Sequence, residues 1–444
     1  MAVPATQNGD LFCQRNSSST TLLTSPALSP RINALLLLAV VLYFGYALAD
    51  ISRNVGNPVS YMWDFRMCYF SAKAYIAGLN PYSPSDVQAL AGERILEFYY
   101  FPLSLHFFKL FTYLPYATAA RLFLIIKFVL VAYLVVLWHQ FFLRRSMDGV
   151  FLLFCLLAFN STMYIDFRAG NVSVLEQAFI WSAFACFVSK RPVAFGILLV
   201  MAAMFKAVML LFAVLVLVWP ERGKFRAAAS IIALVAFFVI MEWLVDPQLT
   251  KQFATHALSI IGVPQDRGIL NPSAFSLFTE IRKALDQAFR IELPSVLATL
   301  AYTGWITVVT VWTWKMLGRL DMTRTQLRKT AVYIVCLLFA LISVRFKDYS
   351  FILLLVPTYY LMLRINTLGG YFLLFILSVL SAERIALPGF DLIAWFVWNY
   401  YPLLLASVVW LLYVRYPSMT QLNANSEAVR SYERLEKETA KVHI

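Results

Sequence analysis

The sequence is poor in charged residues. Only 14% of its 444 residues are Asp, Glu, Lys or Arg, whereas 61% are hydrophobic. Soluble domains carry about 25% charged and about 45–50% apolar residues, so this composition excludes a soluble protein. Uncharged runs such as Ile32–Ala49 and Ser295–Trp314 are long enough to cross a bilayer as helices. A membrane β-barrel would instead show alternating segments of about ten residues. The predicted fold class is therefore an all-α polytopic membrane protein.

Motifs of several enzyme classes are also missing. The five cysteines have neither paired nor zinc-like spacing, which argues against disulfides and zinc sites. The sequence has no Gly-rich nucleotide loop, no His-Glu-x-x-His helix, no Gly-x-Ser-x-Gly elbow and no Asp-x-Asp pair. We therefore expect neither a metal nor another cofactor. Lys and Arg exceed Asp and Glu by 37 to 24. In a membrane protein such an excess sets topology, so nucleic acid is not an expected partner.

Hydrophobic segments predict about twelve transmembrane helices. The stretch Val193–Trp219 fits one long span or two short spans that meet at Phe205-Lys206. The positive-inside rule favours two, because this choice places the later basic clusters on the cytoplasmic side, together with both termini. Residues 1–30 and 415–444 are predicted cytoplasmic tails, the first disordered, and 31–414 form the membrane domain. The twelve segments lie at about 32–50, 116–142, 149–163, 171–188, 193–205, 207–219, 226–245, 295–317, 329–343, 349–363, 371–385 and 392–414.

Two long loops, 51–115 and 246–294, are predicted on the extracytoplasmic side of a plasma or inner membrane. Within the first loop we expect an interfacial helix over Arg66–Ala77 and a second segment, Phe101–Leu114, that dips into the membrane. Polar residues from many segments share this outer side, where they could assemble one site. They are Asp64, Arg66, Lys73, Glu97, Arg168, Asn171, Lys206, His256, Asn271, Arg345, Lys347, Asp348 and Asp391.

Asp64 is the candidate general base. It lies between aromatic residues about fourteen residues beyond the first span, close to Arg66. Burial at this boundary would raise its pKa and Arg66 would lower it, which leaves a carboxylate that can accept a proton. Since Asp is a favoured N-cap, an equally simple interpretation makes Asp64 the cap of the following helix.

The candidate phosphate-binding residues are cations on the outer side. Arg345 and Lys347 share a short turn with Asp348, and two cations there suit a lipid phosphate, although ordinary anchoring to headgroups is the alternative. Lys206 stands at the break between two half-length helices, where an ionisable residue indicates a functional site or a snorkelling side chain. Arg168 belongs to another external turn.

Other residues allow two interpretations each. Asn171 follows Gly170, which permits a close ligand or simply forms a turn. Asn271 precedes Ser273, which fits the cap of a helix over Ala274–Leu285. Glu176 and Lys127 fall inside predicted spans, and we interpret them as structural.

The stretch from Asp64 to Tyr82 resembles the first-loop signature of glycosyltransferase family 87, the polyprenyl-phosphate-mannose-dependent mannosyltransferases. Further similarities follow in the family's order, across about residues 32–360: Tyr100–Ser104, Gly170–Ser173, Phe205-Lys206 and Asn271–Ser273. The chain departs from the family pattern at three places. Asn171 replaces Gln, Ala207 replaces Pro, and Arg345–Tyr349 replaces a segment with Ser-Pro and His.

The resemblance implies a GT-C fold with an external active site in which Asp64 is the catalytic base. It implies an inverting transfer of a hexose, mannose in this family, from a polyprenyl phosphate to a lipid or glycan acceptor. Nucleotide sugars are cytoplasmic, so transfer outside requires a lipid-linked donor. A transporter or flippase of lipid-linked sugars is one alternative, and a polymerase or ligase with a diphosphate-linked donor is another. The predicted donor-phosphate residues are Arg345, Lys347, Lys206 and Arg168, and the predicted substrate-binding residues are Arg66, Asn171, Asn271, Asp348 and His256.

Overall fold

The fold is taken from a computed structural model, which describes residues 29–57, 60–143, 148–219, 223–259, 268–320, 325–365, 367–380 and 391–415. All regular secondary structure in these ranges is helical. The predicted tails lie outside the described residues, apart from the few tail residues next to the first and last helices.

The α-helices are numbered along the chain. They are α1 (Pro30–Arg53), α2 (Trp63–Ile76), α3 (Pro84–Ala91), α4 (Pro102–Lys109), α5 (Tyr116–Leu137), α6 (Gly149–Ala169), α7 (Ser173–Val188), α8 (Pro192–Ala203), α9 (Gly223–Val245), α10 (Pro247–Ser259), α11 (Ala274–Phe289), α12 (Val296–Leu317), α13 (Thr325–Ile342), α14 (Leu355–Met362), α15 (Leu368–Val379) and α16 (Asp391–Arg415). Four 3-10 segments cover Leu110–Tyr113, Ala207–Val216, Gly268–Leu270 and Asp348–Leu354, and a π-helical turn at Trp138–Leu143 extends α5.

The predicted fold class is confirmed, since each of the twelve apolar segments coincides with a helix. Within the described ranges, seven helices are long and apolar enough to cross a membrane, namely α1, α5, α6, α9, α12, α13 and α16. The other five segments are shorter apolar helices. The expected interfacial helix also exists, but it begins at Trp63, three residues earlier than predicted.

The stretch Val193–Trp219 forms two short helices, as the charge rule favours. α8 and the 3-10 segment Ala207–Val216 meet at Lys206, whose backbone is extended. They fold back on each other, because Trp219 at the far end packs on Phe195 in the first turn of α8, with ring centroids 5.4 Å apart. The connection at Lys206 therefore lies at the opposite end of this hairpin from Trp219.

The core of the bundle is formed by α13 and the segment that follows it. In the 18-residue apolar stretch of α13, 83% is buried inside the protein, whereas in the corresponding stretch of α9 only 6% is buried. The peripheral helices α1, α9 and α12 expose apolar side chains such as Leu35, Ile232 and Leu300. These side chains suit contact with lipid tails, since no water-exposed face of a soluble domain would carry so many of them.

The long loops are largely helical. The first contains α3 and α4, which both contact α2, and the second contains α10, which contacts α4, and α11. The aromatic side chain of Phe65 anchors α2 on the bundle, because its ring stacks on Phe123 of α5 at 4.7 Å and meets Phe111 edge-on at 5.5 Å. This anchor fixes the neighbouring Asp64 against the end of the bundle.

Candidate active site

Asp64 lies in the first turn of α2, and the end of α6 fixes where that turn begins. Met62, in the left-handed conformation, precedes the helix, and its N–H donates to the carbonyl of Arg168 at 2.7 Å. Gly170 ends α6 with φ +65°, and a Cβ at this position would lie only 2.9 Å from Met62 Sδ and Phe65 Cβ. The glycine therefore provides room for α2 itself, which settles the two interpretations of Gly170 in favour of a turn.

The carboxylate of Asp64 is bound by Asn171. Asn171 Nδ2 donates to Asp64 Oδ2 at 2.7 Å and lies 3.3 Å from the hydroxyl of Tyr100. The orientation of this amide is fixed, since Asn171 Oδ1 accepts from the backbone N–H of Ser173 at 2.9 Å. Asp64 caps no helix end, because the cap position belongs to Met62 and has no side-chain bond. The N-cap interpretation of Asp64 is therefore wrong.

The environment of Asp64 favours a carboxyl that exchanges a proton. Burial raises the pKa of Asp64 above the ordinary range, because its side chain is removed from water. The hydrogen bond from Asn171 opposes this rise, as do the positive charges of Lys347, Lys206 and Lys127. The sequence predicts that the charge of Arg66 lowers the pKa of Asp64. In the structure, the charges that lower this pKa are those of the three lysines.

A buried ion pair supports the turn that carries Asn171. Lys127 Nζ lies 2.7 Å from Asp166 Oδ2, and it also donates to the carbonyls of Asp166 and Asn171 at 2.5 and 2.9 Å. Both side chains are fully buried. Lys127 is thus structural, as interpreted, and its partner is Asp166. A charge in the apolar interior requires such a partner, since a lone charge there is very costly.

Lys206 lies beside Asn171 in the same network. Its Nζ donates to Ser173 Oγ at 3.2 Å and to Glu176 Oε2 at 3.0 Å, while Ser173 Oγ donates to Asn171 Oδ1 at 2.7 Å. A chain of contacts therefore runs from Asp64 to Glu176. The predicted break at Lys206 is confirmed, but the lysine charge is already matched by the buried carboxylate of Glu176.

The turn that carries Arg345, Lys347 and Asp348 lies close enough to Asp64 for the charge of Lys347 to lower the pKa of Asp64. Segments distant in sequence hold its backbone. Asn271 Oδ1 accepts from the N–H of Phe346 at 2.8 Å, and Ser273 Oγ donates to the carbonyl of Val344 at 2.7 Å. Thr162 Oγ1 donates to the carbonyl of Asp348 at 2.6 Å. The 3-10 segment that begins at Asp348 then leads back into the core.

The Asn271 region combines two tasks. Ser273 caps α11, as one interpretation held, by accepting from the N–H of Ser276 at 3.3 Å. Asn271 lies behind the Arg345–Asp348 turn, fully buried. Its oxygen holds that turn, and its Nδ2 hydrogen-bonds no group among the described residues. Asn271 thus has a positioning contact, while substrate binding by its nitrogen stays a prediction.

An aromatic layer extends the site toward α10. The guanidinium of Arg345 lies 5.1 Å above the ring of Tyr99, and Tyr99 stacks on His256 at 5.5 Å. Tyr99 also donates to Glu97 Oε2 at 2.8 Å. Burial lowers the pKa of His256, and the nearby charge of Glu97 partly opposes this change. Half-buried aromatic faces of this kind suit the apolar faces of sugar rings.

Two arginines that were predicted to bind substrate or phosphate, Arg66 and Arg168, contact other protein groups. Arg66 forms an ion pair with Glu93 and packs its guanidinium 4.9 Å from the ring of Tyr116. Arg168 Nε donates to the carbonyl of Ser60 at 2.9 Å, which ties the first loop to α6. Substrate or phosphate binding by these arginines stays a prediction, and their observed contacts are with the protein itself.

The predicted residues that the structure connects are Asp64, Asn171, Lys206 and Lys347, with Arg345 and His256 linked through Tyr99. Sequence reasoning did not propose Asp166, Ser173, Tyr99 or Tyr100 as site residues, although Ser173 and Tyr100 belong to segments that resemble the family. One signal was available, because the intramembrane charges of Lys127 and Glu176 implied partners of opposite sign. Among the described residues, no group of three or more His, Cys, Asp or Glu side chains could hold a metal ion.

This arrangement can support one type of chemistry well. A buried carboxylate with one hydrogen-bond donor can accept a proton from a bound hydroxyl. Fixed cations a short distance away can stabilise negative charge that develops on a phosphate. This end of the bundle therefore combines a carboxylate that can act as a base with cations that can bind an anion.

Comparison with known proteins identifies the family. A family model described as Glycosyltransferase family 87 matches residues 98–344, which is more than half of the 444-residue chain. The match includes Asn171, Lys206 and Asn271, whereas Asp64 and the Arg345–Asp348 turn lie outside it. No curated protein and no solved structure matches the chain. The chain belongs to glycosyltransferase family 87 and is a membrane-embedded glycosyltransferase of the GT-C type.

Proposed function

We propose that this glycosyltransferase moves a hexose, mannose in the first instance, from a polyprenyl phosphate to a lipid or glycan acceptor on the extracytoplasmic side. The observation that carries the proposal is the hydrogen bond between the buried Asp64 and Asn171, near a turn whose Lys347 acts electrostatically on Asp64. A base and an anion site at one end of an apolar helical bundle suit a lipid-linked donor, because the anion site can bind its phosphate and the apolar helices can contact its lipid tail.

In the proposed mechanism, Asp64 accepts the proton of an acceptor hydroxyl. The hydroxyl oxygen forms a bond to the anomeric carbon from the face opposite the phosphate. The bond between that carbon and the phosphate oxygen breaks, and its electron pair leaves with the polyprenyl phosphate. One displacement inverts the anomeric configuration. The phosphate leaves as a stable anion, so no separate acid is required.

The contacts favour Arg345 and Lys347 as the residues that bind the leaving phosphate. Arg345 is exposed at the site and rests on Tyr99, and Lys347 is close enough to influence the Asp64 charge. Lys206 is paired with Glu176 and Arg168 with a backbone carbonyl. A phosphate that bound either of these two side chains would have to displace that contact.

The extracytoplasmic location rests on charge distribution. The hairpin of α8 and Ala207–Val216 turns at Lys206, so the basic loops near Lys190 and Lys224 share the end of the bundle away from Asp64. Basic loops are normally cytoplasmic. Single cysteines test this inference in a chain whose five native cysteines are replaced by alanine. A membrane-impermeant maleimide should label Arg345→Cys from outside intact cells and Lys315→Cys only after permeabilisation, and the reverse pattern would refute the proposed side.

The activity test uses membranes from cells that produce the protein. We expect them to transfer labelled mannose from polyprenyl phosphate mannose, and to form a product of opposite anomeric configuration. Asp64→Asn should abolish transfer while donor binding persists, whereas the exposed Glu292→Gln serves as a matched control with unchanged transfer. Full activity of Asp64→Asn would refute the mechanism.

The same assay separates the alternatives. Transfer only from a diphosphate-linked donor would identify a glycan polymerase or ligase. Movement of the intact lipid-linked sugar across the membrane, without a new glycosidic bond, would identify a flippase and would conflict with the family assignment. We favour the monophosphate donor, because the proposed anion site is one short turn with two cations.

A further inference from the structure

A second polar site lies at the other end of the bundle. A cavity of about 410 Å³ opens there, which is within the range of about 300–1,000 Å³ that ligand pockets occupy. Its polar lining consists of Gln140, Ser189, Lys190, Thr325, Arg328 and Lys329. Three of these six side chains are cations, and the lining that the structure describes contains no Asp or Glu.

The cavity is separate from the Asp64 site, although the same helices connect the two. Helix α7 begins at Ser173, beside Asn171, and ends at Val188, next to the cavity. With a rise of about 1.5 Å per residue, its sixteen residues separate the two sites by roughly 24 Å. Helix α13 likewise runs from Thr325 at the cavity toward the Arg345–Asp348 turn.

Two of the three cations of the cavity are buried, unlike residues that merely anchor a protein to headgroups. Arg328 and Lys329 are 3% and 1% exposed. An anchoring lysine or arginine would instead extend into the headgroup region. Thr325, Arg328 and Lys329 follow the i, i+3, i+4 spacing, so they share one face of the first two turns of α13.

The helix direction increases the positive potential of the cavity. The start of a helix carries a partial positive charge, so cations there are unfavourable and anions are favourable. Two buried cations in the first two turns of α13 therefore oppose the helix dipole. A bound anion would reverse this cost, because backbone N–H groups and side-chain cations would then act together.

Contacts within the protein fix the position of one of the buried cations. The guanidinium of Arg328 is fixed, since its Nε and Nη2 donate to the carbonyl of Val188 at 3.0 and 2.9 Å. Its Nη2 also donates to Thr325 Oγ1 at 3.0 Å. Lys190 follows α7 with φ +57°, and this left-handed turn places its exposed side chain at the cavity. A fixed guanidinium with hydroxyl and amide groups around it suits a tetrahedral oxyanion.

We propose that this cavity binds a phosphate group, either the headgroup of an anionic phospholipid or a free phosphate anion. The site is independent of the proposed transfer mechanism. It would give the protein a ligand at the membrane face opposite to the one that holds Asp64, bound to the ends of α7 and α13.

The test uses the full chain in nanodiscs of phosphatidylcholine. In one arm, inorganic phosphate is titrated against chloride of equal ionic strength. In the other arm, part of the phosphatidylcholine is replaced by phosphatidylglycerol without added phosphate. The readout in both arms is the thermal unfolding midpoint of the protein. A rise in the first arm identifies free phosphate as the ligand, and a rise in the second arm alone identifies the lipid headgroup.

Variants separate this site from general charge effects. Lys190→Asn removes one charge, and Asn accepts the left-handed backbone of this exposed position, so the protein should fold normally. Loss of one charge-assisted hydrogen bond should weaken binding about tenfold. Lys329→Gln should act in the same direction, while the exposed Lys315→Gln, at the same end of the bundle, should bind as the wild type does. No rise in either arm, or equal binding by wild type and Lys190→Asn, would overturn the proposal.

Discussion

The hydrogen bond between Asn171 and Asp64 gives the most direct test of the site. The carboxylate of Asp64 belongs to a buried residue, 7% exposed, and in Asn171→Ala it loses the side chain that donates to it at 2.7 Å. A hydrogen bond to a charged group contributes about 1.5–3 kcal/mol. Its loss destabilises the ionised form relative to the protonated form, so the pKa of Asp64 should rise further above its already raised position.

The expected consequence depends on pH. A general base acts only when it is ionised, so the transfer rate should fall as the pH decreases through the pKa of Asp64. In Asn171→Ala this acidic limb should move to higher pH. On the limb, kcat/KM should be roughly ten- to a hundredfold lower than in the wild type, which is the free-energy loss converted at about 1.4 kcal/mol per factor of ten. At alkaline pH the difference should shrink.

The assay is the rate of hexose transfer from the polyprenyl phosphate donor, measured from mildly acidic to alkaline pH. Asn171→Gln is the matched control, because it keeps an amide donor and has the residue found in the family pattern. It should restore much of the wild-type profile. A rate that falls by one factor at every pH in Asn171→Ala would show that the amide does not tune Asp64, and the reasoning would be wrong.

Three further predictions follow from the contacts around the site. Lys127→Met should lower the free energy of unfolding by about 3–5 kcal/mol, since it leaves the buried Asp166 unpaired. Chemical denaturation in detergent measures this loss, and the double variant with Asp166→Asn should recover part of it. Arg345→Ala should raise the KM for the donor with a smaller effect on kcat, and an unchanged KM would remove Arg345 from the phosphate site. Gly170→Ala should reduce transfer and lower the unfolding midpoint, because the added Cβ would lie 2.9 Å from Met62 and Phe65. Wild-type behaviour of this variant would contradict the close packing of α2 on this turn.

Much of the fold follows from the sequence because hydrophobicity acts locally. Each apolar segment had to become a helix in order to satisfy its backbone in lipid. The hairpin turn at Lys206 was also predictable, since a single-span interpretation would have inverted every later basic loop. Helix α10 was not predicted, because its residues lie in the long loop 246–294, outside the apolar segments that the bilayer constrains.

The candidate site was predictable only as a set of residues on one side. Sequence alone indicated that Asp64, Asn171 and Arg345 face the same compartment, but not which of them touch. The partners of Lys127 and Lys206 depend on helix rotation and tilt, which packing between helices determines. Arg66 illustrates this limit of sequence-based prediction. It lies two residues from Asp64 in the sequence, which suggested a contact between them, but it forms an ion pair with Glu93.

The distribution of charge suits the proposed reaction. The Lys127–Asp166 and Lys206–Glu176 pairs each combine one positive and one negative group, and the charge of Lys347 also acts on Asp64. During transfer the proton moves to Asp64, which becomes neutral, while the phosphate gains a negative charge as the glycosidic bond breaks. Negative charge thus moves from the carboxylate toward the donor phosphate.

This movement gives Lys347 a double effect. Before the reaction its charge lowers the pKa of Asp64, against the larger effect of burial, and so favours the ionised form of the base. As the bond to the phosphate breaks, the same charge can stabilise the leaving group. This stabilisation of the transition state is larger if the lysine lies closer to the phosphate than to Asp64. Lys347→Gln should therefore combine two changes, an acidic limb at higher pH and a lower kcat on the alkaline plateau. A shift of the limb alone would show that Lys347 tunes the base without contacting the phosphate.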